Sequence, residues 1–344
     1  MVALGLDEAR GLCEAAAHRL GLREADAEIV AEHLLDAEMR GAVGLSRLLV
    51  LADDMARYGR YRDAEIEVVR ETDRSAVVRG GGRVGMVVAL EATRIAIAKA
   101  KAHGTAVVAA DEHMYSGLLA HYAETAARED LVAIVVAAGG VRRGLPRIAP
   151  FGAREGRFTT NPIAVGLPTS GDPVVWDVST AAVSGGELFE RMETGTPLDE
   201  GVAVGPDGLP TTDPCAAVAG TVLAWGGHRG SGLMVCIQLL GMLSGLPPLP
   251  TDADGTAFLV VAIDPARLGG LDDFKARAAA FADGIRTSTP VDGVEEVRMP
   301  YDRSLRERSR AMREGRVRIP EAVHRRLRAV ASEGLAAAGA EAGR

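Results

Sequence analysis

The sequence predicts an α/β protein with a helical lobe assembled from both ends of the chain. Three observations lead there. Residues 7 to 58 carry apolar side chains at helical spacing, short β-branched runs alternate with helical segments from about residue 65, and the tail from about 302 to 338 returns to strand-poor helical text. The implied division is a helical part over 1–70, an α/β part over 71–300 and a helical part over 301–344 that packs with the first.

Taken in order, Leu12, Ala16 and Leu20 mark a first helix, Ile29, Val30, His33, Leu34 and Met39 a second, and Leu48, Leu49, Leu51 and Met55 a third. Strands follow at Ala76–Val78, Ala106–Ala109 and Leu131–Val136, with helices near 84–102 and 116–129 between them. Further strands are read at Ala164–Leu167, Val174–Asp177 and Phe258–Ile263. Between them lie a helix near 183–193, a Pro206-Asp207-Gly208 turn and a helix over about 230–244. No internal repeat or low-complexity linker interrupts the pattern.

Composition narrows the function. A chain of 344 residues, 47% hydrophobic and 25% charged, has the make-up of an ordinary globular protein with a sizeable core. Its net charge of -8 argues against a nucleic-acid partner and against an anionic membrane surface, since both call for a basic face. Cys13, Cys215 and Cys236 lie far apart and form no CxxC pair, so neither a disulfide framework nor a metal site is expected, and the cytoplasm is the expected compartment. Neither an export signal nor a membrane span is anticipated, because no basic start precedes an apolar run and no window of about 18 apolar residues appears.

The stretch with the most chemistry is Gly226-Gly227-His228-Arg229-Gly230-Ser231-Gly232, running into Leu233–Leu240. Glycines let a backbone approach a ligand, and the first turn of a buried helix offers unpaired N–H groups and a positive dipole end. His228 and Arg229 add donors where a phosphate or carboxylate would sit. A glycine-rich turn entering a core helix is the alternative, and these residues alone leave both readings open. Gly80–Gly85 also matches GxGxxG, but no acidic residue closes a second strand about 20 positions on, so a strand-to-helix turn is preferred there to a dinucleotide fingerprint.

Several stretches in one order resemble the malate/L-lactate dehydrogenase family, which includes L-sulfolactate dehydrogenase, ureidoglycolate dehydrogenase and Δ1-piperideine-2-carboxylate reductase. They are Ala149-Pro150-Phe151-Gly152 with Thr160-Asn161-Pro162, Asp177–Val183, Pro210–Pro214 and Gly227–Leu233. The resemblance spans nearly the whole chain. It implies the non-Rossmann fold of L-sulfolactate dehydrogenase, a homodimer, NADPH or NADH as cofactor, and hydride transfer involving a 2-keto or 2-hydroxy acid or a cyclic 2-carboxy imine. It also implies cofactor contacts at Ser116, Gly117, Asn161, Asp177, Val178, Ser179, His228, Arg229, Gly230, Pro300 and Asp302, and substrate contacts at Arg47 and Thr160.

Departures from the family pattern are concentrated at its proton donors. Where the family has Ser-His-Gly and then an arginine, this chain reads Arg40-Gly41-Ala42-Val43-Gly44-Leu45-Ser46-Arg47, so Arg47 matches the carboxylate clamp while the Ser-His pair is deleted. Tyr115 stands where a second histidine belongs, with His113 two residues earlier. Glu187 matches the charge-relay acid, Arg229 the usual lysine, and Pro300-Tyr301-Asp302 the family's Pro-Gly-Glu.

The residues themselves leave some roles open. Thr160 and Asn161 can meet a ligand or cap the turn before Pro162, and Asp177 can face a ligand or end its strand as a cap. His113 and Tyr115 can be acid–base groups or packed loop residues, and His18, His33, His103 and His324 read as solvated or structural. The functional expectation is an NAD(P)H-dependent reductase of a small carboxylated substrate. A cyclic imine is preferred over a keto acid, because a protonated imine attracts hydride without an enzymic acid whereas an alkoxide needs one. The alternative is a non-redox lyase, cyclase or binding protein that keeps the fold after losing its proton donor.

Overall fold

The computed structural model describes residues 1–59, 61, 63–140, 147–248 and 255–339. It opens with β1 (Val2–Gly5), α1 (Leu6–Arg19), α2 (Glu24–Met39) and α3 (Ser46–Tyr58). Next come β2 (Glu67–Glu71), β3 (Ser75–Arg83), α4 (Gly85–His103), β4 (Thr105–His113), α5 (Leu119–Arg128) and β5 (Val132–Gly139). The middle holds β6 (Ile163–Leu167), β7 (Val174–Val178), α6 (Gly185–Thr194), β8 (Ala203–Val204), α7 (Pro214–Ala219), β9 (Thr221–Val222) and α8 (His228–Gly241). The chain ends with β10 (Thr256–Ile263), α9 (Leu271–Arg286), α10 (Asp302–Glu314), β11 (Arg316–Ile319), α11 (Glu321–Glu333) and α12 (Leu335–Gly339).

Seven strands form the central sheet in the order β2-β3-β4-β10-β5-β6-β7. Only β3 and β4 pair in parallel, joined by the α4 crossover; the other neighbours are antiparallel. The centre is β4-β10-β5, in register at Val108, Val260 and Val135, all three buried. These strands read as continuous apolar runs because both faces are covered at mid-sheet. On one face α4 applies Val88, Ala89, Ala92, Ala96 and Ala100, small residues that let helix and sheet approach closely, and α5 adds Tyr122 and Ala123. On the other, Ile237 of α8 packs over Val136, Ala138 and Leu259.

The helical lobe has its own core. α1 turns Ala9, Cys13, Ala16 and Ala17 inward against α2 and α11, and burial pushes the Cys13 thiol up to about 12, which makes it inert. Segments from the two ends of the chain meet in this lobe, and not through helices alone. Arg316-Val317-Arg318-Ile319 forms β11 and pairs antiparallel with β1, Leu4 opposite Val317, with Leu4, Val317 and Ile319 buried and Val2 half-buried. The strand-poor tail thus holds one short strand, Arg316–Ile319, whose charged and apolar residues alternate with period 2 between two helices.

Two further differences bear on the site. The expected turn at Gly80–Gly85 is instead strand through Arg83, with α4 starting at Gly85, where a Cβ would lie 2.1 Å from the Met114 carbonyl oxygen. Glycine is required there for packing beneath the loop that leads to Tyr115. The second is α9, which the sequence reading left unassigned and whose one buried residue is Ala282. Among the described residues no helix is long and apolar enough to cross a membrane, and no cluster of metal-ligating side chains occurs.

Candidate active site

Three segments distant in sequence converge beside Arg47, on the first turn of α3. The Arg47 guanidinium carbon lies 5.8 Å from the centre of the Tyr115 ring, within cation–π range. On the other side the backbone entering α6 comes so close that a Cβ at Gly186 would sit 2.7 Å from Val43 Cγ2 and 3.3 Å from Arg47 Nη2. Arg47 is half-buried, its Nε is enclosed without a hydrogen-bond partner, and none of its ion pairs is formed among the described residues. An enclosed guanidinium N–H without an acceptor is costly, and a carboxylate ligand would satisfy it through two parallel bonds.

The loop carrying Tyr115 is fixed from below by α2. His33, read from sequence as solvated or structural, is buried, and its Nε2 accepts the Leu118 N–H at 2.8 Å. Gly117 has φ +78, and a Cβ there would fall 2.2 Å from His33 Nε2, so both its conformation and its contact demand glycine. Burial and the neighbouring His121, ring centres 4.6 Å apart, hold His33 well below the usual histidine range and therefore neutral, as its acceptor role requires. One and two turns on, the same face of α2 presents Asp36 and Arg40. Arg40 joins Asp36 and Glu124 at 2.6 Å each, Arg308 reaches Asp36 at 2.7 Å, and the Tyr301 phenol donates to Glu124 at 2.9 Å. Burial alone would raise Asp36, but His121, Arg40 and Arg308 outweigh it and hold the carboxylate well below its usual range.

The residues expected to touch a cofactor separate into two groups. Asp177 ends β7 and accepts the Ala120 N–H at 2.7 Å, capping α5; burial raises its carboxyl to about 6 against the pull of the Ala120 and Leu119 N–H groups. Asn161 is fully buried and donates to Met234 O and Gln238 Oε1 while accepting from Thr159, so packing against α8 replaces the ligand contact expected of its side chain. Asp302 is engaged too: Arg286 grips it at 2.9 and 2.7 Å and the Met299 N–H donates to it. Ser116 is buried and its carbonyl accepts from Tyr122.

The second group stays open. His228 and Arg229 are exposed at the start of α8, with Phe151 edge-on to His228 at 5.9 Å, and Gly230 is buried behind them. Ser179 is tied to this loop, because the Trp225 indole donates to its carbonyl at 2.7 Å. Val178 and Thr160 are half-buried alongside; the Thr160 carbonyl binds the Thr180 N–H and hydroxyl, and its own hydroxyl is uncommitted among the described residues. Pro300 is exposed at the mouth of a cavity that Asp177 also lines.

Two expected acid–base groups are corrected by their surroundings. His113 is 2% exposed, and its Nδ1 sits 2.7 Å from both Met114 O and Thr256 Oγ1, which places it between strands rather than at a solvent-reached site. Glu187 accepts from Arg191 one turn on, at 2.9 Å, and its backbone N–H is capped by Ser184; its carboxylate serves α6 and not the Tyr115 phenol. Tyr115 remains beside Arg47. What sequence reasoning missed is the positioning set His33, Asp36, Arg40, Glu124 and Tyr301. Its signal was polar residues at i, i+3 and i+7 on a helix otherwise rich in buried alanine and leucine.

Comparison with known proteins agrees with this architecture. The profile of the malate/L-lactate dehydrogenase family matches residues 4–328. An L-sulfolactate dehydrogenase of Methanocaldococcus jannaschii is 30% identical over 326 residues, 92% of each chain. A Δ1-pyrroline-2-carboxylate/Δ1-piperideine-2-carboxylate reductase of Pseudomonas aeruginosa is 32% identical over 353 aligned positions, covering 96% of this chain and 99% of the relative. Among solved structures, the sulfolactate dehydrogenase of M. jannaschii superposes with a TM-score of 0.85 at 28% identity, over 97% of this chain and 98% of that one. The chain belongs to the malate/L-lactate dehydrogenase family.

Proposed function

We propose that the protein is an NAD(P)H-dependent oxidoreductase of a small carboxylated substrate, with a cyclic imine favoured over a 2-keto or 2-hydroxy acid. The observation that carries the reading is Arg47: a half-buried guanidinium with an unsatisfied Nε, set between Tyr115 and Gly186. A planar carboxylate on the substrate supplies the missing acceptor and is oriented by the fork as it binds. Relatives named as dehydrogenases and as a cyclic-imine carboxylate reductase support the class.

The preference for an imine comes from the proton. With His113 enclosed and Glu187 paired to Arg191, Tyr115 is the proton-bearing side chain beside the clamp. A phenol is a weak acid at neutral pH, whereas a protonated imine brings its own proton. Nicotinamide would supply the hydride. For the nucleotide the fitting groups are exposed Arg229 and His228 at the start of α8, Gly230, the Val178–Ser179 segment, and Pro300. The backbone of Ser116 and Gly117 sets the loop beside them, and the α/β part from 71 to 300 is the domain that binds it.

A homodimer is part of the proposal: Val235 and Leu239 on α8 and Leu243 in the turn just beyond it are 39%, 56% and 61% exposed, an apolar row suited to a second copy. A cytoplasmic location accords with three unpaired cysteines, two of them exposed.

The test follows nicotinamide absorbance with a cyclic 2-carboxy imine and with a 2-keto acid. Faster turnover of the imine is expected, and Tyr115→Phe should retain its kcat within about tenfold. A loss beyond about a hundredfold, the scale of a general acid, would make Tyr115 the proton donor and return the keto acid to first place. Tight binding of either compound with no absorbance change would indicate the non-redox alternative.

A further inference from the structure

A cavity of about 800 Å³ opens between edge strand β7, the N-terminal end of α5 and the start of α10. Its wall includes Arg40, Leu118, Ala120, Asp177, Arg298 and Arg303, and neither Arg47 nor Tyr115 reaches it. The volume is that of a site for an organic ligand and is far more than one inorganic anion fills. Tyr115 and Leu118 are three residues apart on one loop, a span of at most about 10 Å, so the cavity lies within reach of an extended ligand whose other end is at Arg47.

The charge of this wall is opposite to that of the whole chain, at -8. Most carboxylates at or near it are neutralised by cations, Asp36 by Arg40 and Arg308, Glu124 by Arg40 and Arg128, Glu296 by Arg306 and Asp302 by Arg286, while Asp177 accepts the Ala120 N–H, so the three arginines of the wall outnumber its two carboxylates, Asp177 and Glu296. Cationic donors, in contrast, are left over. Arg40, 3% exposed, keeps a buried Nη1 with no hydrogen-bond partner. Arg298 and Arg303 stand exposed at the mouth with no ion pair or hydrogen bond among the described residues. Two free guanidinium forks flanking an organic-sized cavity are matched by a dianionic phosphate monoester, which offers three oxygens to their donors.

We propose that this cavity receives the adenosine end of the nicotinamide cofactor, and that Arg298 and Arg303 hold a phosphate on its ribose, so that the enzyme takes NADP(H) in preference to NAD(H). The inference rests on the cofactor reading above and adds to it the choice of nucleotide. A 2′-hydroxyl in place of that phosphate leaves both guanidinium groups without their acceptor, which is the source of the discrimination. Pro300 and Asp177, matched to cofactor-contacting positions of the family, lie on the same wall.

The experiment titrates the full-length protein with NADPH, NADH, adenosine 2′,5′-bisphosphate, 5′-AMP and inorganic phosphate at one fixed salt concentration. The same titrations are run on an Arg298→Ala/Arg303→Ala double variant, both positions being exposed. We expect NADPH to bind at least about tenfold tighter than NADH, that ratio to fall to about threefold or less in the double variant, and the bisphosphate to compete better than 5′-AMP. Equal affinities, a preference for NADH, or a ratio unchanged by the double substitution would overturn the assignment while leaving the cofactor reading intact. Inorganic phosphate displacing NADPH as effectively as the bisphosphate does would reduce the site to a simple anion hole and overturn it as well. Binding of neither dinucleotide would sink the cofactor reading itself.

Discussion

The segment around Val43 and Gly44 and the segment Pro300-Tyr301-Asp302, the two places where the sequence is expected to depart from the pattern it resembles, are treated by the fold in opposite ways. Around the first, donors are unspent: Arg47 Nε has no acceptor, Val43 is 45% exposed and Tyr115 is only half-buried. Around the second, polar groups are used up. Tyr301 donates to Glu124 and lies 4.9 Å from the Arg40 guanidinium, while Asp302 is held by Arg286. A cation left unpaired stays available to a ligand; a side chain that finds partners becomes part of the architecture. Changes in the first region should therefore damage function, and changes in the second should damage stability.

The strongest way to break this contrast is Arg40→Ala. Removing the guanidinium takes from the buried Asp36 and Glu124 carboxylates their one fully buried cation, leaving them to the half-exposed Arg308 and Arg128, and cutting one partner from a buried ion pair costs about 3–5 kcal/mol. Chemical denaturation should show that loss with an unchanged m-value. A loss below about 1 kcal/mol would mean that water already screens the network, and the second region would no longer count as structural.

Arg47→Ala is the mirror experiment. Stability should stay within about 1 kcal/mol of the parent, since no hydrogen bond or ion pair is lost and only the cation–π contact with Tyr115 goes, or rise as the unsatisfied Nε disappears. Loss of a bidentate contact to substrate carboxylate should reduce kcat/KM about a hundredfold or more, chiefly through KM. A variant that is markedly less stable and yet active would reverse the assignment of the two regions.

The fold was legible where period and composition agree: α1 to α3, the β4-β10-β5 core and the helices that cover it all follow from apolar spacing. β11 was not, because four residues of alternating Arg and apolar text between two helices are outweighed by their surroundings, and their partner β1 lies more than 300 residues away. At the site, Arg47 and Tyr115 were read from a local motif. The duty of His33 was hidden, since its acceptor bond runs to Leu118, 85 residues on, and nothing local distinguishes that histidine from a solvated one. Asp302 and Glu187 misled for the complementary reason: their carboxylates match a pattern, while the arginines that occupy them are outside it.

Asp177 lies between the two regions and sharpens the comparison through pH. Burial raises its folded-state carboxyl to about 6, above the unfolded value near 3.9, so the unfolded chain loses this proton first. Its contribution to stability therefore falls as pH rises from about 4 to about 6. Asp177→Asn cannot titrate and keeps an oxygen for the Ala120 N–H. Relative to the parent, the variant should gain roughly 2 kcal/mol between pH 4 and pH 7 in paired urea titrations. A difference that stays constant with pH would show the carboxylate to be better solvated than its position beneath α5 implies.

The smallest expected effect is the most discriminating about Tyr301. Its φ of +79 lies in the left-handed region, which costs a residue with a Cβ about 1 kcal/mol and glycine almost nothing. The resemblance implies glycine at this position, and a positive φ is the geometry that glycine adopts at least cost. Tyr301→Ala retains the strain while losing the bond to Glu124 and the stacking on Arg40, and should cost about 1–2 kcal/mol. Tyr301→Gly loses the same contacts but sheds the strain, so it should be about 1 kcal/mol more stable than the alanine variant, less the entropy that glycine gives back to the unfolded chain. Thermal melts of the two proteins side by side resolve such a gap. A glycine variant that melts below the alanine variant would mean that the tyrosine carries no backbone strain, and the partners of Tyr301 would then add stability instead of offsetting a cost.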